Sequence, residues 1–137
     1  MSINSRIKEI EEIFSVFDDS MDKYSQIIDF GKKHVSLQLE EKNEENRIYG
    51  CTSLAWVVTK KEGNFYSIKT DSDTVIVKGL LSILEFIINK SEKNEIIKLK
   101  IDVILKKIGL EESISSQRTN GFLSTLDKIK KQINAYD

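Results

Sequence analysis

Cys51 is the only cysteine in the chain, and a thiol is the most nucleophilic side chain available near neutral pH because a fraction of it ionises. It follows directly on Gly50, a residue that lets the backbone turn sharply or approach another group closely. From Ser53 onward Leu54, Trp56 and Val58 alternate with Ala55, Val57 and Thr59, which is a strand signature. Cys51 is therefore expected at a loop-to-strand junction, held by a rigid element yet within reach. Free cysteine is also among the most buried residue types, so the stretch by itself favours a structural thiol. A cysteine hydrolase would need a histidine base and an orienting acid. His34, the only histidine, falls in a polar stretch without an acid at a recognisable spacing, and reads as a surface residue. Arg118, in Arg118-Thr119-Asn120-Gly121, offers a planar fork for a carboxylate, although its spacing alone marks a surface arginine. No Cys/His cluster suggests a metal, Glu40-Glu41 and Glu44-Glu45 read as solvated loop acids, and no glycine-rich phosphate loop is present.

The elements that must position these groups follow from the hydrophobic pattern. Ile3, Ile7, Ile10, Phe14 and Phe17 recur at helical spacing, predicting an amphipathic helix over 3–17. Asp18, Asp19 and Ser20 are capping residues ahead of a second helix through Met21, Tyr24, Ile27 and Ile28, with Gly31 as its stop. Residues 32–47 are polar and read as a loop, with a short extra pairing at Ile48-Tyr49. Lys60 to Asn64, containing Gly63, reads as a hairpin turn between the strand at Ser53 and a second one over Phe65 to Thr70. Trp56 and Tyr66 would then face each other. Asp71, Ser72 and Asp73 read as the cap of a helix over Thr74 to Asn89, apolar on nearly all sides and therefore the buried centre, with close packing at Gly79. Ser91 to Leu99 reads as a short helix and Asp102 to Ile108, closed by Gly109, as another. A final helix, capped by Ser115 or Ser116, carries Phe122, Leu126, Ile129, Ile133 and Tyr136 on one stripe and Lys128, Lys130 and Lys131 on its wet side. The order gives an α+β fold, with helices on one face of a small antiparallel sheet of about three strands.

Composition bounds the function classes. A length of 137 residues reads as one domain, 1–137, and 39% hydrophobic with 31% charged residues fits an ordinary soluble globular protein. A net charge of −1 supplies no overall field for nucleic acid or an acidic membrane. One cysteine excludes an intramolecular disulfide and a cysteine-rich metal cage within the chain. The amino terminus lacks the apolar core of a secretory signal, and the longest apolar run, Gly79 to Ile88, contains Glu85 and is too short to span a bilayer. A reducing cytoplasm is the expected setting.

Three stretches, taken in order, resemble the SufE family of cysteine-desulfuration proteins. Gly50-Cys51-Thr52-Ser53-Leu54-Ala55-Trp56 resembles its G-C-x-S-x-x-W motif. The run Ser72 to Leu80 resembles its S-D-A-x-I-V-K-G-L stretch. Ser115 to Phe122 resembles its closing S-P-S-R-x-N-G-L motif. Asp22-Lys23-Tyr24 through Gly31 is similar to its second helix. The chain departs from the pattern at Leu54, where glutamine is usual, at Ser116 and Gln117 in place of proline and serine, and at His34-Val35, where Leu-Pro is common.

The resemblance implies a SufE/IscU-like fold over 1–137 and a sulfur acceptor and activator of a cysteine desulfurase, serving iron–sulfur cluster assembly. Cys51 would carry the persulfide. Asp73 and Arg118 would bind the desulfurase or steady the Cys51 loop, and Gly50 would hinge it. Leu54, Trp56 and the buried helix would line a dry resting place for the persulfide. The implied partners are a SufS-like desulfurase, to which the pyridoxal phosphate belongs, and a SufB-like iron–sulfur scaffold. The chain itself would need no cofactor and no metal, and would show no turnover without its partner. A homodimer stays an open alternative. The rival readings are a non-catalytic interaction module with a structural cysteine, and a cysteine hydrolase using His34.

Overall fold

The computed structural model describes residues 2–50 and 53–136. The apolar stripe of the first segment folds as α1 (Ile3–Ser15), with Ile3, Ile7, Ile10 and Phe14 buried. Asp19 caps α2 (Ser20–Lys33), its carboxylate accepting the N–H of Met21 at 2.9 Å. Gly31 does not stop this helix, which runs on to Lys33 with Gly31 buried. The glycine is there for close approach: α2 crosses α3 (Val75–Ile88), and Gly31 and Gly79 lie at that crossing. Eight of the fourteen residues of α3 are buried, so it forms the centre of the core as its composition predicts.

Strands β1 (Ala55–Glu62) and β2 (Phe65–Ser72) pair antiparallel, with Glu62 opposite Phe65. Gly63, at φ +65°, takes the first position of the two-residue turn, where a left-handed backbone favours glycine. The register sets Trp56 opposite Asp71 and Tyr66 opposite Lys61, so the two aromatic residues do not face each other. Tyr66 packs instead near Tyr136, ring centroids 6.0 Å apart. The segment read as one helix from Ser91 divides: β3 (Ser91–Glu92) pairs with Phe65 and Tyr66, and α4 spans Lys93–Ile97. The early pairing also falls slightly differently, as a bridge of Arg47 to Trp56 with the Ile48 N–H donating to Ala55 O at 2.8 Å.

Because β3 is only two residues long, the rest of that edge of β2 is satisfied by side chains. Asn89 Oδ1 accepts the Ile68 N–H at 2.8 Å, and Glu85 Oε1 accepts the Thr70 N–H at 2.7 Å. On the inner face Ala55, Val57, Tyr66 and Ile68 are buried, with α3 against β2 and α6 (Ser116–Asn134) against β1. Helix α5 (Ile101–Ile108) ends at Gly109, φ +77°, and packs on α1. The result is an α+β architecture with its helices on one side of a three-stranded antiparallel sheet. Among the described residues no helix is long and apolar enough to cross a membrane.

Candidate functional site

Cys51 and Thr52 lie outside the described residues, and so do the expectations of a thiol at a loop-to-strand junction and of a loop hinged to shelter it. Upstream, residues 46–48 are joined to β1. The Ile48 N–H donates to Ala55 O, the Val57 N–H donates to Asn46 O at 2.9 Å, and the Ile48 side chain is buried. Gly50 follows at φ +101°, a left-handed conformation that glycine adopts without strain. A Cβ at Gly50 would stand 2.3 Å from Ser124 Oγ on α6, so this residue is pressed against the final helix.

Downstream, the end of β2 grips Leu54. Its N–H donates to Asp73 Oδ1 at 3.1 Å, and its carbonyl accepts from the Asp73 N–H at 3.1 Å and from Ser72 Oγ at 2.7 Å. Thr74 Oγ1 lies 2.6 Å from Ser53 Oγ and 3.1 Å from Asp73 Oδ1, linking the three side chains in one chain of hydrogen bonds. Asp71, Ser72 and Asp73 therefore do not form the N-cap of α3. That position is held by Thr74, whose side chain makes no capping bond, while Asp71 and Ser72 belong to the strand. Ser53, Ser72 and Thr74 were not singled out from the sequence as site residues. Their signal was their place inside two of the matching motifs, next to Cys51 and Asp73.

Arg118 enters from the first turn of α6, where Ser115 Oγ accepts its backbone N–H at 3.2 Å. Ser115, rather than Ser116, is the cap. The Arg118 guanidinium stacks over Tyr24 of α2, 5.8 Å from the ring centre, a cation–π contact, so Arg118 is half-buried rather than a free surface residue. Among the described residues no carboxylate lies within ion-pairing distance of it. Arg118 and Ser53 line the same cavity of about 120 Å³, together with Val77, Leu80, Gln117 and Phe122. The structure thus brings Gly50, Asp73 and Arg118 to the flanks of one loop from three separate parts of the chain. Leu54 and Trp56 are not among the residues lining that cavity: Leu54 is exposed, and Trp56 is half-buried on the opposite side of β1 from the buried Ala55 and Val57.

The outer side of the sheet is closed by the polar segment that precedes the loop. Asp71, fully buried, accepts the Leu37 N–H at 3.0 Å and the Ser72 N–H at 2.8 Å, and pairs with Lys42 at 3.2 Å and Lys78 at 3.5 Å. Burial pushes its carboxyl up, but the two N–H donors, Lys42 and Lys78 outweigh that and hold it below the usual range. Lys42 also covers the Trp56 ring at 5.5 Å.

His34 is not the surface residue its sequence context suggested. Its side chain is 7% exposed. Nε2 donates to Thr70 O at 2.8 Å, and Glu85 Oε1 lies 3.7 Å away. Burial raises the Glu85 carboxyl against the opposing pull of His34 and of the Thr70 donors. His34 closes the open edge of β2 and is committed to that task.

The family model described as SufE, an Fe–S metabolism associated domain, matches residues 8–133. An uncharacterized SufE-like protein of Rhizobium etli is 35% identical over 130 residues, covering 92% of this chain and 88% of that one. Another from Rhizobium meliloti is 32% identical over 130 residues, covering 92% and 93%. The chloroplastic/mitochondrial SufE-like protein 1 of Arabidopsis thaliana is 31% identical over 129 residues, which span 93% of this chain but 34% of that longer protein. The solution structure of a hypothetical protein from Thermus thermophilus shares the fold, with a TM-score of 0.76 at 16% identity over 95% of this chain and 94% of that one. These define an α+β domain associated with iron–sulfur metabolism. The chain belongs to the SufE family.

Proposed function

We propose that the chain accepts sulfur from a pyridoxal-phosphate cysteine desulfurase, holds it as a persulfide on Cys51, and passes it to an iron–sulfur scaffold, activating the desulfurase by unloading it. The Cys51 thiolate attacks the outer sulfur of the desulfurase persulfide. A new Sγ–S bond forms as the donor S–S bond breaks, and the donor sulfur leaves as a thiolate. The observation that carries this reading is that a SufE-family chain has one thiol only. A second thiol beside it would discharge the persulfide as sulfide and close a disulfide, and this chain has none to do so. Support comes from the cavity lined by Ser53, two residues from Cys51, whose Val77, Leu80 and Phe122 supply apolar wall. Asp73 steadies the loop through Leu54, and Arg118 contacts the partner or the loop from the cavity rim. The chain needs no cofactor of its own and acts in the compartment where its desulfurase resides.

Intact mass after mixing with a desulfurase and free cysteine tests the proposal. Cys51 should gain about 32 Da per transferred sulfur, reversibly with a reducing thiol. A Cys51→Ser chain that still gained that mass would overturn the assignment.

A further inference from the structure

Leu54 is exposed, yet its backbone is saturated by protein rather than by water. Its carbonyl takes two donors and its N–H one acceptor, all from Ser72 and Asp73. The shortest of these comes from a buried hydroxyl: Ser72 is 3% exposed, and its Oγ stands 2.7 Å from Leu54 O while accepting the Thr74 N–H at 3.3 Å. Loops on the surface ordinarily leave such groups to solvent. Holding them with buried side chains fixes the direction in which the backbone leaves the sheet toward Ser53 and the residues before it. Thr74 adds a second hold, 2.6 Å from Ser53 Oγ. Gly50, pressed on Ser124, fixes the other root. Three peptide units join Gly50 to Ser53, reaching at most about 11 Å.

We propose that Ser72 is a positioning residue for sulfur transfer: its buried hydroxyl, with Thr74, orients the downstream root of the Cys51 loop toward the incoming persulfide. The proposal rests on the sulfur-acceptor reading but can be separated from it. Ser72 acts through Leu54 and touches no reacting atom. A reacting group displaced by about 1 Å loses up to about a hundredfold in rate, so loosening this root should lower the rate at saturating donor and leave donor affinity alone.

The test compares wild type with Ser72→Ala, Thr74→Val and Ser72→Thr. Single-turnover sulfur acceptance is followed by mass over a range of desulfurase persulfide concentrations, and Cys51 alkylation by a bulky maleimide is followed in the free protein. Ser72→Ala should accept sulfur about tenfold more slowly at saturation, with half-saturation unchanged and alkylation faster, since a looser root presents the thiol in more orientations. Thr74→Val should change both readouts in the same directions, and Ser72→Thr, which keeps the hydroxyl, should restore them. Wild-type rates in both Ser72→Ala and Thr74→Val, or a loss confined to half-saturation, would overturn the proposal. If Ser72→Ala does not fold, Thr74→Val decides on the same criteria. If wild type itself takes no sulfur from the desulfurase, the acceptor reading fails; the alkylation comparison then still decides whether Ser72 holds the root.

Discussion

Gly31 and Gly79 meet where α2 crosses α3. A Cβ on Gly31 would stand 2.1 Å from Val75 O and 3.1 Å from the Gly79 nitrogen, and a Cβ on Gly79 would stand 2.0 Å from Ile27 O. Neither helix has room for one more carbon, because the atoms in the way are backbone and cannot rotate aside. This contact brings α2, and with it Tyr24 under Arg118, against the helix that carries Val77 and Leu80 of the cavity.

Two effects of opposite sign decide what happens at Gly79. Replacing glycine by alanine inside a helix normally stabilises by about 1 kcal/mol. Overpacking a rigid contact costs about 1–3 kcal/mol. With a backbone oxygen 2.0 Å away, the contact should win, so Gly79→Ala should destabilise in urea titrations, and Gly79→Leu should do so more strongly. An alanine variant more stable than wild type would show that the helices can part without penalty.

Gly50 is constrained twice, by φ +101° and by Ser124 Oγ, 2.3 Å from where its Cβ would sit. Proline, whose ring holds φ near −65°, cannot occupy this backbone at all, so it is no probe of a hinge here. Alanine is the usable substitution. Gly50→Ala should destabilise by about 1–2 kcal/mol from the left-handed backbone alone. Adding Ser124→Gly removes the steric contact and leaves the backbone strain, so the double variant should recover only part of the loss. Full recovery in thermal or urea unfolding would show that the contact, and not φ, is what requires glycine.

Much of the architecture was legible because it rests on local rules. The stripe of Ile3, Ile7, Ile10 and Phe14, the turn at Gly63, the Gly109 stop and the Ser115 cap each depend on a few neighbouring residues. What was misread depends on distant ones. Gly31 looks like a stop, since the sequence does not show that Gly79 lies opposite. Ser91-Glu92 becomes a strand only because Tyr66 offers an edge, and the shortness of that strand in turn leaves Thr70 to His34 and Glu85. Trp56 and Tyr66 miss each other because register follows from the turn position. Motif order is what drew attention to Gly50, Asp73 and Arg118. The grip of Ser72 and Thr74 on Ser53 and Leu54 was not, because hydroxyl partners across a strand end leave no pattern along the chain.

Asp71 and Glu85, both on the polar framework behind the site, should give stability opposite dependences on pH. The Asp71 carboxyl is held below its ordinary value, so the folded state binds its proton more weakly than the unfolded state. Its contribution is present above the unfolded value near pH 4 and is lost as pH falls through the folded value. The Glu85 carboxyl is raised by burial. Its contribution is present below the unfolded value of about 4.3 and is lost as pH rises through the folded value. Urea titrations of wild type, Asp71→Asn and Glu85→Gln across this range separate the two. Asp71→Asn should be less stable than wild type at neutral pH by about 1–3 kcal/mol, because Leu37, Lys42 and Lys78 lose a charged acceptor. That deficit should shrink as the pH is taken below about 4. Glu85→Gln keeps an oxygen acceptor for Thr70 and removes the charge, so its stability relative to wild type should improve as pH rises from about 4 toward neutrality. An Asp71→Asn deficit that stays constant down to acid pH would mean that the ion pairs with Lys42 and Lys78 do not hold the segment in place, and that the neutral hydrogen bond from Leu37 is sufficient.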